Sequence, residues 1–221
     1  MNLNKTKYLR TGEMHNNLKL DKDSETEFCQ ERKYLGVIFD NSGTDDKEIR
    51  LRVIQARKCV ACLNGILLSN DIRKDRKLNV YIALIESSLF CGSETWRLAE
   101  NNKRRVEATV MDAPRRSFRI SRKERIRNVT IRQQTGLEEP VIKEIEQNQL
   151  TWYSHVQRMA EGRLPKIAFK WMPKQKTAQG KPKKNWMEGI RKAVNERNLN
   201  DGQWEDRKRW SLGVGQRRTM F

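Results

Sequence analysis

Six apolar residues between Ile49 and Leu67 decide what kind of fold this chain can adopt. Ile49, Val53, Ala56, Val60, Leu63 and Leu67 are separated by steps of 4, 3, 4, 3 and 4. Those steps line up along one side of a helix and scatter over both faces of a strand. Thr44 stands ahead of the stripe as the expected N-cap, and Asp45, Asp46 and Glu48 fall in the first turn, where the helix dipole favours anions. A second helix is expected from about Ile72 to Phe90, with Leu78, Tyr81, Ile82, Ile85 and Leu89 inward and Gly92 after its end. Two such helices on a short link make an antiparallel hairpin. The fold class is therefore mainly α.

The flanks of that hairpin read differently. In residues 1–43, Tyr8-Leu9 and Leu18-Lys19-Leu20 are strand pieces with GEMHNN as the turn between them. Tyr34 to Phe39 reads as one β-branched and aromatic strand, stopped by Asp40-Asn41-Ser42-Gly43. Residues 44–136 form a helical domain in which Val106 and Val110 mark a third helix. Pro114 should break it near Ala113, because an interior proline costs about 3 kcal/mol and a backbone hydrogen bond. Asn128 is placed to cap a short helix ending near Gly136. Residues 137–221 form a basic helical region with a linker near 173–184. Pro140 opens its first helix, whose stripe is Ile142, Ile145, Gln149, Trp152, Val156 and Met159. A short apolar piece around Ile167–Trp171 follows. Beyond the linker, a helix from Asn185 to about Asn198 places Trp186, Ile190 and Val194 on one face. A last turn around Trp204–Trp210 and a frayed tail, GVGQRRTMF, complete the chain.

Charge is the second constraint. The formal net charge is +18, and it is localised. Residues 150–221 hold 17 Lys and Arg against 6 Asp and Glu, and residues 103–127 hold 10 against 3, so the remainder is neutral. Two basic segments on a neutral frame call for a polyanionic partner. The stretch from Trp152 to Trp186 interleaves cations with three tryptophans. Cations meet phosphates and flat rings stack on unpaired bases, so this mixture suits nucleic acid. The same tryptophans equally suit a helix that packs them inward. Candidate phosphate contacts are Arg115, Arg116, Arg119, Arg122, Lys123, Arg158, Lys181, Lys183 and Lys184, with Trp171 and Trp186 as stacking candidates. His155, beside Trp152, is a phosphate contact or a structural histidine.

Several motifs resemble reverse transcriptases of non-LTR (LINE-type) retrotransposons. NLNKTKY followed by KYLGVIFDNSG is similar to the end of that family's palm, where KTK follows the catalytic aspartates and YLG leads into the thumb near the primer end. The resemblance places Lys5, Thr6 and Lys7 in the first role, and Tyr34, Leu35 and Gly36 in the second. CGSETW, MDAPRRSFRIS, WYSHVQRM, RLPK and GKPKKNW resemble further family segments in the same order. The resemblance implies a palm remnant, a helical thumb-like bundle and a basic C-terminal region that grips template RNA or primer–template without base reading. Departures are Pro114 in place of a helix-interior residue, Ser154 for Gly and Cys91 for Tyr, a set that fits a decaying element copy.

The resemblance also says where chemistry should be. In the family, paired aspartates in a Y-x-D-D hairpin hold two Mg2+ ions ahead of KTK, and this chain begins after that point. The chain by itself is therefore expected to be inactive and to hold no cofactor; Mg2+ would act only in a full-length parent polymerase. Asp45-Asp46 opens a helix and does not join two strands, and Asp21 and Asp23 lack the glycine and distal glutamate of a calcium loop. Cys59 and Cys62 form a CxxC without the second pair that structural zinc takes. Four scattered cysteines imply a reducing, intracellular compartment, and KPKK at Lys181 has the form of a nuclear import signal. No apolar run reaches the roughly 20 residues of a membrane span. Two other readings stay open: part of a longer active RNA-directed DNA polymerase, and a non-enzymatic helical interaction protein.

Overall fold

A computed structural model describes residues 6–11, 17–21, 24–137, 140–171 and 185–215. Among these residues, five short strands precede a helical body: β1 Lys7–Tyr8, β2 Leu18–Asp21, β3 Ser24–Phe28, β4 Glu31–Tyr34 and β5 Val37–Asp40. β3 is central in a three-stranded sheet, parallel to β1 and antiparallel to β2. β4 and β5 form a separate hairpin with Tyr34 opposite Val37.

That hairpin corrects the reading of Tyr34–Phe39 as one strand. Leu35 and Gly36 both have positive φ, 49° and 86°, the geometry of a two-residue turn whose twist matches its strands. Glycine adopts it freely, and Gly36 supplies the turn that the apolar pattern concealed. β3 was not evident in advance, because SETEF lacks the apolar alternation of a half-buried strand.

The helices are α1 Asp46–Cys62, α2 Asn64–Leu68, α3 Lys74–Val80, α4 Ser87–Leu89, α5 Glu100–Val110, α6 Asp112–Ser117, α7 Asn128–Thr135, α8 Val141–Gln157, α9 Leu164–Lys170, α10 Trp186–Glu196 and α11 Arg207–Val214. A π-helical stretch, Tyr81–Glu86, joins α3 to α4. Five of the six stripe residues are buried: Ile49, Val53, Ala56, Val60 and Leu67 lie in one core with Tyr81, Ile85, Leu89, Val106, Val110, Val141 and Ile145, and Leu63 packs against it half-buried.

Local endings shift for identifiable reasons. Asp45, not Thr44, flanks α1, and no side chain caps it. Its carboxylate accepts instead from Arg97 N at 2.5 Å and Arg97 Nε at 3.3 Å, while Asp46 accepts from Asn102 Nδ2 at 2.6 Å. These tertiary bonds bind α5 to the start of α1. The break before Pro114 falls at Met111, so the proline occupies the first turn of α6, where its missing N–H would have had no partner. Asn128 lies inside α7 rather than capping it, because Arg115 Nη2 donates to its Oδ1 at 2.9 Å. Gly136 ends α7 at φ +72°. α11 extends through Gly213 and Val214, part of the expected tail, and Val214 is buried.

The β4–β5 hairpin is fastened to α1 by a buried ion pair. Arg52 Nε donates to Glu48 Oε1 at 2.6 Å, and its Nη2 donates to Gly36 O at 2.7 Å. Ile38 N donates to Glu48 Oε2 at 2.7 Å. Both charged groups are thus paired with each other and hydrogen-bonded to the hairpin backbone, which offsets the cost of burying them.

α8 links this core to a second one. Val141 and Ile145 face the first, whereas Leu150 and Tyr153 enter the second with Ile190, Ala193, Leu199, Trp210 and Val214. Between them Gln149 Nε2 donates to Trp96 O at 2.8 Å. Trp152, expected in the α8 stripe, is instead 37 % exposed. The second core gathers Leu150 and Tyr153, so the buried face widens to that side; Trp152 is left outside it while Val156 stays buried.

Candidate nucleic-acid interface

The candidate residues belong to two packed units and have different surroundings. At the first unit, α6 ends in a Schellman turn: Ile120 N donates to Arg115 O at 2.9 Å and Arg119 N to Arg116 O at 3.0 Å. The left-handed position of such a turn is ordinarily a glycine, and here it is Arg119, at φ +55°. A capping box follows, with Ser121 Oγ accepting from Lys123 N and Glu124 Oε1 accepting from Ser121 N at 2.6 Å. It closes at Arg125, again at φ +55°. A left-handed non-glycine residue costs roughly 1 kcal/mol, so this loop keeps two arginines in positions where glycine would be more stable.

Within this loop Arg119, Arg122, Lys123, Arg125 and Arg127 are all exposed, five cations in nine residues. Arg119 Nη2 donates to Leu68 O at 2.9 Å, and Arg122 Nη2 donates to Asp112 Oδ1 at 3.1 Å. Each bond fixes the guanidinium while leaving other N–H groups of its five unused. Among the described residues, Lys123, Arg125 and Arg127 have no side-chain hydrogen bond or ion pair. Exposed charges add their potentials where they stand within the roughly 8 Å screening length of physiological salt. Arg115 and Arg116 are more deeply committed. Arg115 Nη2 donates to Ile126 O at 2.7 Å as well as to Asn128. Arg116 Nη1 donates to Asn64 Oδ1 at 2.7 Å, and its Nε faces Asp112 Oδ2 at 3.4 Å. These two hold α6 against α2 and α7.

The second unit uses its aromatic residues internally. Tyr153 meets Phe169, Trp204 and Trp210 at ring-centre distances of 5.9, 5.7 and 6.2 Å. Trp186 stands edge-on to Phe169 at 6.2 Å, and its Nε1 donates to Glu94 O at 2.9 Å. Trp186 therefore serves the packing between α10 and the segment at Glu94. Trp171 is the clearest exception, 69 % exposed at the end of α9, with Leu164 and Ile167 also exposed on that helix, and Trp152 on α8 is exposed to a lesser degree. Arg158 Nη1 donates to Trp204 O at 2.7 Å, and burial, with Arg207 nearby, lowers its pKa from the ordinary arginine range. His155 is exposed, its ring 5.7 Å from that of Trp152.

Near the N-terminus, Lys7 is exposed and pairs with Glu27 at 2.7 Å. Tyr34 is exposed at the hairpin, and the Gly36 carbonyl is held by Arg52. Lys5, Lys181, Lys183 and Lys184 lie outside the described residues, as do most of the GEMHNN turn and the 173–184 linker. Arg125 and Arg127 were passed over among the sequence candidates, although they continue the RKERIRN run; their exposure depends on a turn that spacing alone does not reveal.

Among the described residues, no group of three or more His, Cys, Asp and Glu is placed to hold a metal ion. Burial pushes the Cys59 thiol up, and Cys62 adds to the shift. No helix among the described residues is long and apolar enough to cross a membrane. No known protein family, curated protein or solved structure matches the chain.

Proposed function

We propose that this chain binds nucleic acid through phosphate contacts, as the palm-end, thumb-like and basic C-terminal part of a non-LTR reverse transcriptase. In that role it grips template RNA or primer–template and reads no base sequence. The observation that carries the binding is the run of five exposed cations between Arg119 and Arg127, set in a turn that fixes their backbone. The ancestry rests on the motif order from KTK to GKPKKNW. Polymerisation in such a parent depends on paired aspartates and Mg2+ supplied outside these motifs.

Filter binding of single-stranded RNA across a salt series tests the reading. Neutralising about six phosphates gives log K against log salt a slope near −4. No retention of RNA or DNA at low salt rejects it. Primer extension by this chain with Mg2+ is expected to be blank, and extension above background would reassign it as an enzyme.

A further inference from the structure

Two independent features of the 118–127 loop point in one direction. Its cations are exposed, and its backbone is held in a conformation that the cations themselves disfavour. Arg119 occupies the left-handed position of the Schellman turn and Arg125 the left-handed end of the capped turn. Glycine fits both positions without strain. Strained backbone clusters at functional sites, and here, unlike at the hairpin turn of Leu35, both left-handed residues are cations of one exposed run. The loop's aromatic residue, Phe118, is half-buried and carries Lys74 over its ring, with Nζ 4.5 Å from the ring centre.

From these features we infer that the loop is a phosphate-backbone clamp. Arg119, Arg122, Lys123, Arg125 and Arg127 take consecutive or cross-strand phosphates of a nucleic acid, with no contact to the bases. The bonds to Leu68 O and Asp112 hold Arg119 and Arg122 in place before the ligand arrives. That lowers the ordering entropy lost on binding. The inference rests on the nucleic-acid reading above and adds to it a backbone set before the ligand arrives and the absence of any base contact by this loop.

The test uses the full chain and two double variants. Arg119→Gly with Arg125→Gly removes two charges from positions that suit glycine, so its melting temperature should equal or exceed that of the parent. Lys123→Gln with Arg127→Gln removes two charges that have no partner among the described residues. Each variant should bind oligo(dT) on the order of tenfold more weakly near physiological salt, with the salt slope shallower by about 1.4. An oligodeoxynucleotide of abasic sites should lose affinity by the same factor, because the clamp touches only phosphates.

The outcomes separate the two levels of the argument. If the parent protein binds neither oligonucleotide at low salt, the nucleic-acid reading itself falls. If the parent binds and both variants keep its slope, binding resides elsewhere and the clamp is overturned. If the variants lose oligo(dT) but not the abasic strand, the loop contacts bases and the phosphate assignment fails. Should the glycine variant melt lower than the parent, the Lys123/Arg127 variant decides, since its side chains hold nothing in the fold.

Discussion

The loop at 118–127 and the helices α9 to α11 both combine arginine, lysine and aromatic residues, but the loop leaves its cations open while the C-terminal unit ties several of its own down. In the loop Phe118 is half-buried with Lys74 over its ring, and the cations are open. In the C-terminal unit Trp186, Trp204 and Trp210 are drawn into packing, and Arg158 is turned onto the Trp204 carbonyl. An aromatic ring buried in a core contributes apolar area that it cannot also offer to a base. Interleaved cations and tryptophans thus signal nucleic-acid binding only after the rings are shown to be free. Here Trp171 meets that condition most clearly.

The largest effect expected from this contrast is at Trp210. Its ring lies 6.2 Å from Tyr153 and 6.3 Å from Trp204, and its Nε1 donates to Leu150 O at 3.2 Å. Trp210→Ala should destabilise the protein by about 3–5 kcal/mol in urea unfolding, the usual range for a buried aromatic. Below the transition, the salt slope of oligonucleotide binding should persist. A stability change under 1 kcal/mol would mean that the aromatic residues are not a core, and that the contrast is drawn in the wrong place.

Trp171→Ala reverses the signature. The side chain is 69 % exposed, so stability should move by no more than about 0.5 kcal/mol. If the ring stacks on a base, single-strand affinity should fall by about 1–3 kcal/mol, while an abasic strand is bound as before. Unchanged affinity for both strands would leave the C-terminal unit as a purely structural element. Between these extremes stands Trp186→Phe, which keeps the edge-on contact with Phe169 but removes the donor to Glu94 O. Its expected cost is about 0.5–1.5 kcal/mol of stability, with binding intact.

How much of this was legible beforehand differs between the fold and the site. The α1 stripe, the Val106 and Val110 helix and the Ile190 face follow from spacing alone, because each is repeated over several turns against one core. The hairpin at Leu35-Gly36 was hidden because the apolar run Tyr34–Phe39 covers the end of β4, the turn and most of β5, while the rest of β4, Glu31-Arg32-Lys33, is charged. Trp152 was misplaced because periodicity assumes a single buried face, whereas α8 serves two cores and its buried face widens past Gln149. At the site, composition located the basic segments but not which cations are free. Arg115 and Arg119 are four apart in one segment, yet Arg115 holds the Ile126 carbonyl and Asn128, while Arg119 stands exposed at the end of the turn. That distinction depends on which carbonyls the fold leaves within reach, and no one-dimensional pattern encodes it.

The smallest effect concerns a carboxylate that ties down two cations of the C-terminal unit. Glu161 Oε2 meets Lys170 Nζ at 2.5 Å, and its Oε1 meets Lys166 Nζ at 3.1 Å. Lys166 also donates to Gln157 O at 2.8 Å and Met159 O at 2.9 Å, closing the end of α8. The bonds from Lys170 and then Lys166 hold the Glu161 carboxyl below its ordinary value of 4.5. A carboxyl depressed by folding contributes stability that is fully present above its unfolded pKa and lost as pH falls through the folded one. The melting temperature should therefore decline a little further in acid for the parent than for Glu161→Gln, in the window below about 4.5, and differ little between them at neutral pH, where exposed pairs contribute weakly. The same substitution releases Lys170, so oligonucleotide binding at neutral pH should show a slightly steeper salt slope. Parallel melting curves across that window, with an unchanged slope, would show that the C-terminal cations are as free as those of the loop, and the difference between the two regions would then lie in their rings alone.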